Sequence, residues 1–121
     1  MEIFRHFEAG PDPFGRLWQV RFKWLQTAIS IRHSDTVDVK FLLECEDARE
    51  EKVVAMQHAG LLELSRRANR QLTDSWCSRL AALHLKNVVE TGEDMEKSLL
   101  TVSSGQLAEY NARIQDFVAA H

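Results

Sequence analysis

The chain is expected to fold as a single α+β domain over residues 1–121, an antiparallel meander of three or four strands followed by two or three helices packed on one face. Three observations predict this. Apolar and polar residues alternate from Trp18 to Cys45 across one polar break, the pattern of a β-hairpin. From Gly60 onward the apolar repeat lengthens to the helical period. Strand patterns come first and helix patterns afterwards, an order unlike alternating βαβ units.

Composition agrees with a folded domain. A chain of 121 residues buries roughly two thirds of the surface it would expose unfolded, so it needs neither disulfides nor metal to hold together. Its 45% hydrophobic and 27% charged content excludes a disordered or low-complexity class.

Taking the elements in order, Met1 to Phe7 suits a short edge strand, and Gly10, Pro11, Asp12, Pro13 and Gly15 make a turn-rich break. Trp18, Val20, Phe22 and Trp24 then alternate with polar residues, whereas beyond Leu25 the apolar set moves to odd positions, Leu25, Ile29 and Ile31. Side chains change face at every residue of a strand, so a bulge or break near Trp24 and Leu25 is needed to keep both sets on one side. Val37, Val39, Phe41, Leu43 and Cys45 form the apolar face of the next strand.

The expected hairpin register pairs Ile31 with Val37, Ile29 with Val39 and Thr27 with Phe41, leaving His33, Ser34 and Asp35 at the tip. On the other face it sets Ser30 beside Asp38 and Ala28 beside Lys40. A bulge at Trp24 would carry that residue to Leu43 and Phe22 to Cys45. The charged run Glu46 to Glu51 is expected to turn the chain, with a third strand from Lys52 to Gln57.

Leu61, Leu64, Ala68 and Leu72 recur at helical spacing, with Arg66, Arg67 and Arg70 on the solvent side. Thr73 offers an N-cap and Asp74 a first-turn acid for a second helix that runs to about Thr91, before Gly92. Its apolar residues, from Trp76 to Val89, spread around most of the circumference, so it belongs at the domain centre or between subunits. Leu99 to Val102 adds a strand or crosses the surface. Ser104 precedes a last helix that places Leu107, Tyr110, Ile114, Phe117 and Val118 near one face.

The net charge of −3 is spread over both halves, a poor match to a phosphate backbone, so nucleic acid is not an expected partner. Cys45 and Cys77 read as buried thiols in a reducing compartment. The start MEIFRHFEAG lacks the basic region and apolar stretch of a signal peptide, and no segment has the length of a membrane helix. A cytoplasmic location without membrane attachment is the expectation.

No catalytic constellation stands out, and the reading leans away from an enzyme. The sharpest polar group is Arg32, His33, Asp35 and Asp38 at one hairpin end, where a carboxylate beside an imidazole can orient it and raise its basicity. These four are the ligand-binding candidates; their plainer reading is a solvated turn. Cys77 and His84 share a helix face but lie two turns apart, about 10 Å, too far for both to reach one zinc ion. A site completed by Cys45 and His58 lacks the short ligand pairs of zinc modules, so a buried thiol and a core histidine bonded to backbone are expected, with no metal and no cofactor.

Arg66, Arg67 and Arg70, and the acids Glu90, Glu93, Asp94 and Glu96, read as solvated surface. Trp18, Phe22 and Trp24 are expected on one strand face, under the helices. The leading functional expectation is a non-catalytic binding or assembly domain, a homodimer joined through apolar helix or strand surface. The alternative is a small-molecule-binding protein or small enzyme, with its site between sheet and helices near the Arg32 to Asp38 hairpin end.

Overall fold

The computed structural model describes residues 5–28 and 36–119. One sheet holds five strands in chain order: β1 (His6–Ala9), β2 (Trp18–Ala28), β3 (Thr36–Cys45), β4 (Ala48–Gln57) and β5 (Leu99–Val102). The helices are α1 (His58–Arg67), α2 (Asp74–Thr91) and α3 (Ser104–Ala119). β1 to β4 form the expected antiparallel meander, so the class is α+β. Leu99 to Val102 is a strand, but a parallel one. It follows an α1–α2 crossover and lies beside β4, with Val53 opposite Leu99 and Met56 opposite Val102. The strands-then-helices order gave no hint of this single parallel connection.

Alternation sorts the sheet into two faces. Val37, Val39, Phe41 and Leu43 of β3, Val54 and Met56 of β4, and Leu100 and Val102 of β5 are buried in one core with residues of all three helices. Phe7 and Phe22 meet the Phe41 ring edge-on, each with centroids 6.2 Å away, the arrangement aromatic quadrupoles favour. Lys52 shares this face opposite Phe41 and is 3% exposed. A buried ammonium requires acceptors. Lys52 Nζ donates to the Met95 carbonyl at 2.6 Å and the Lys97 carbonyl at 2.7 Å, tying the segment after α2 to the sheet.

The helix boundaries follow from local chemistry. Thr73 Oγ1 accepts from the Trp76 amide at 3.2 Å, Asp74 sits in the first turn, and Gly92 closes α2 in the left-handed region at φ 75°. Most apolar side chains of α2 are buried in the core, with Leu83 partly buried against it. Trp76 also sends its indole Nε1–H to Asn111 Oδ1 of α3, 3.0 Å away, so both buried polar groups are satisfied.

Three expectations change. The bulge exists, but it falls between Phe22 and Trp24, so Lys23 is the inserted residue. Phe22 therefore faces Phe41, and Val20 rather than Trp24 faces Leu43. Trp24 pairs with Lys40 on the opposite face, where the Lys40 ammonium lies 5.7 Å from the ring centroid, so Trp24 does not share a face with Trp18 and Phe22. Second, Val37 pairs with Thr27, Val39 with Leu25 and Asp38 with Gln26, four residues away from the expected register. A four-residue slip preserves every residue's face, so hydrophobic pattern alone cannot detect it. Third, only Glu46 and Asp47 turn the chain; Ala48 to Glu51 extend β4. Their polarity is tolerated because all four are exposed, and Glu51 accepts an ion pair from Lys40 at 3.0 Å.

Candidate ligand groove

β4 and β5 run parallel, so their carboxyl ends, Gln57 and Val102, lie together, with Thr36 at the start of β3 beside Gln57. A groove of about 500 Å³ opens at this end, between the strand ends, α2 and the start of α3. Its volume falls within the range of small-ligand sites, about 300–1,000 Å³.

His84 of α2 lines the groove and is 5% exposed. Its Nδ1 is 2.9 Å from the Tyr110 hydroxyl on α3, and Tyr110 is 2% exposed. Among the described residues, that hydroxyl has no other hydrogen-bond partner. A tyrosine O–H needs an acceptor, and only Nδ1 supplies one here. The hydroxyl therefore donates to Nδ1, which assigns the ring proton to Nε2. Nε2 has no partner among the described residues, yet no fully buried side-chain nitrogen or oxygen among them is unsatisfied. Nε2–H thus opens into the groove as a donor.

Burial holds the His84 pKa below its ordinary value, opposed by the nearby Asp94 carboxylate. Burial likewise raises the Tyr110 hydroxyl, with Glu109 adding to the rise and Arg113 opposing it. Both shifts favour the neutral pair that the hydrogen bond requires.

The remaining walls are mixed, with Ala55, Val88 and Val102 apolar and the rest polar. Glu93 and Asp94 border the groove just after α2. Asp94 is held at 3.1 Å from Lys97 Nζ, and the segment is pinned from beneath by Lys52. Across the groove, Ser103 and Gln106 form a capping box at the start of α3. The Gln106 amide donates to Ser103 Oγ at 3.2 Å, and Gln106 Oε1 accepts from the Ser103 amide at 3.0 Å. The amides of Ser104 and Gly105 have no acceptor among the described residues, as expected for the first turn of a helix.

The candidates named from sequence distribute differently. Arg32, His33 and Asp35 lie outside the described residues. Asp38 is in β3, two residues along from Thr36 of the groove wall, and accepts from Thr36 Oγ1 at 2.9 Å. Cys77 is buried, and burial, with Asp74, pushes its thiol up to about 11, which leaves it a poor nucleophile. Arg66 and Arg67 are exposed in the last turn of α1. Glu93 and Asp94, read as surface charge, are exposed and half-buried respectively, and they also border the groove. His84 is the buried core histidine expected, but its partner is the Tyr110 side chain rather than backbone. The Ser103-x-x-Gln106 spacing was a visible signal for the α3 cap; nothing local marks Tyr110 as the partner of a histidine 26 residues earlier.

Among the described residues no helix is long and apolar enough to cross a membrane, and no group of three metal-ligating side chains gathers. No protein-family model matches the chain, and no curated protein or solved structure is found to resemble it.

Proposed function

We propose that the chain is a binding domain for a small polar molecule held in the groove between sheet, α2 and α3. The observation that carries this reading is the His84 ring: buried, fixed by Tyr110 on one nitrogen, with a donor on the other that no protein group uses. A donor that opens into a concave site and is used by no protein group is available to a ligand there. Groups locked in place in a concave polar site are what ligand recognition requires. The reading keeps the sequence-based alternative's location at the hairpin end of the sheet, moving its centre onto His84.

A screen of small polar compounds by 1H–15N correlation NMR tests it. A binder should shift the amides of Asn87, Asp94, Ser104 and Gln106 together, and His84→Gln should weaken it. If every binder moves only amides remote from these, or none moves any, the reading is wrong.

The homodimeric assembly reading rests on a different observation. Leu99 is 56% exposed on β5, a strand at the edge of the sheet, and Phe14 and Leu17 are exposed on the loop before β2. Edge strands with apolar side chains pair readily with further chains. Sedimentation velocity separates the two readings: a dimer lost on Leu99→Lys favours assembly, and a monomer at all concentrations removes it.

A further inference from the structure

We propose that the groove takes a small zwitterion of the α-amino acid class, with its carboxylate on His84 Nε2–H and the free amide of Ser104, and its ammonium toward Glu93 and Asp94. This rests on the groove being a ligand site and adds the chemistry of the ligand.

The groove presents groups of two opposite kinds. Two donors that no protein group uses reach the groove wall: His84 Nε2–H of α2, assigned by the Tyr110 hydroxyl, and the first-turn Ser104 amide of α3. A helix start adds partial positive charge, and a carboxylate is the compact acceptor that uses several such donors together. Two carboxylates, Glu93 and Asp94, line the same groove. The Lys97 ammonium neutralises part of Asp94, and no ion pair engages Glu93 among the described residues. A simple anion would satisfy the donors but face these acids, and a simple cation would leave the His84 donor without a partner. A molecule carrying both charges a few bonds apart matches both kinds of group. The rest of the lining mixes neutral polar Thr36, Gln57 and Asn87 with apolar Ala55, Val88 and Val102, so the side chain of such a ligand is expected to be small.

The test uses the whole chain and pools of the standard L-α-amino acids, followed by 1H–15N correlation NMR with the bound histidine ring observed directly. At least one amino acid should shift the groove amides and move the His84 Nε2 resonance while leaving Nδ1 unprotonated. Its methyl ester, which removes the carboxylate charge, and its N-acetyl derivative, which removes the ammonium, should each bind at least tenfold more weakly. Glu93→Gln combined with Asp94→Asn changes two surface side chains outside the core. It should weaken the amino acid tenfold or more while leaving the N-acetyl derivative within about twofold. Ester and N-acetyl forms that bind as well as the parent overturn the zwitterion and leave the groove a ligand site. The same follows if only neutral compounds from the wider screen occupy it. If neither amino acids nor any other compound shifts the groove amides, both readings fall.

Discussion

Tyr110→Phe removes one oxygen from a side chain that is 2% exposed and leaves the ring in place. The lost group is the sole hydrogen-bond partner of His84 Nδ1 among the described residues. Deleting one partner of a buried pair leaves the other unsatisfied, at about 1–3 kcal/mol. No cavity term of consequence adds to this, because Phe retains the carbon skeleton that packs beside Leu107 and Ile114 in the core. We therefore expect about 2 kcal/mol of destabilisation.

Globular proteins gain about 2.1 cal/mol/K of unfolding entropy per residue near 60 °C, so at this length each kcal/mol corresponds to about 4 °C in Tm. Tyr110→Phe should then melt about 8 °C lower and shift the urea midpoint without altering its slope, since the buried area is unchanged. The three tryptophans report the transition by fluorescence. A second readout separates the hydrogen bond from general packing. In the parent, 15N shifts of the His84 ring should show Nε2 protonated and Nδ1 bare; in the variant both tautomers should become populated. Destabilisation below about 0.5 kcal/mol with an unchanged tautomer would refute the assignment of the proton.

Three further outcomes follow from particular groups. Below pH 6.5 the unfolded chain protonates His84 while the folded chain, with its lowered pKa, resists. The His84 contribution is thus complete above 6.5 and declines as pH falls below it, and urea titrations between pH 7 and 5 should show a shallower decline in His84→Gln. Burial tends to raise the Asp12 carboxyl, but bonds from the Arg16 amide, the Trp18 indole, the Arg16 guanidinium and the Phe14 amide outweigh it and bring it to about 2. Its contribution is present above 3.8 and lost as pH falls through 2. Asp12→Asn should therefore be much less stable than the parent at pH 6, with the gap narrowing at pH 2 by circular dichroism melts. Gly92→Ala should cost more than about 1 kcal/mol, because φ is 75° and the new Cβ would lie 2.5 Å from Pro13 Cγ; an unchanged Tm would show that the Pro13 loop yields freely.

What the sequence revealed is what local chemistry controls. Thr73, Asp74 and Gly92 each act within one helical turn, and α2 begins and ends where they place it. The phase change after Trp24 forced a bulge because a strand has only two faces. The neighbouring choice, whether Lys23 or Trp24 is inserted, rests on which ring packs against Phe41, a contact made across strands. The hairpin register failed for the same reason: pairings four residues apart present identical faces, and the choice between them lies in long-range packing. β5 was ambiguous because four residues carry little pattern, and its parallel direction depends on the crossover of α1 and α2.

The groove lies further from local reading still, because its chemistry is assembled by residues that look structural one at a time. His84 reads as core, and it is buried; Tyr110 reads as core, and it is buried too. Only their 2.9 Å contact gives the ring a defined tautomer and leaves a donor facing outward. Glu93 and Asp94 read as surface, and their place beside that donor depends on Lys52, a lysine in an apolar strand pattern whose two carbonyl acceptors lie 43 and 45 residues later. An ammonium buried opposite Phe41 is costly to the fold, and leucine would fit the alternation better. What Lys52 contributes in return is the position of the segment between α2 and β5, so the buried charge serves the geometry of the groove wall as well as the packing of the sheet.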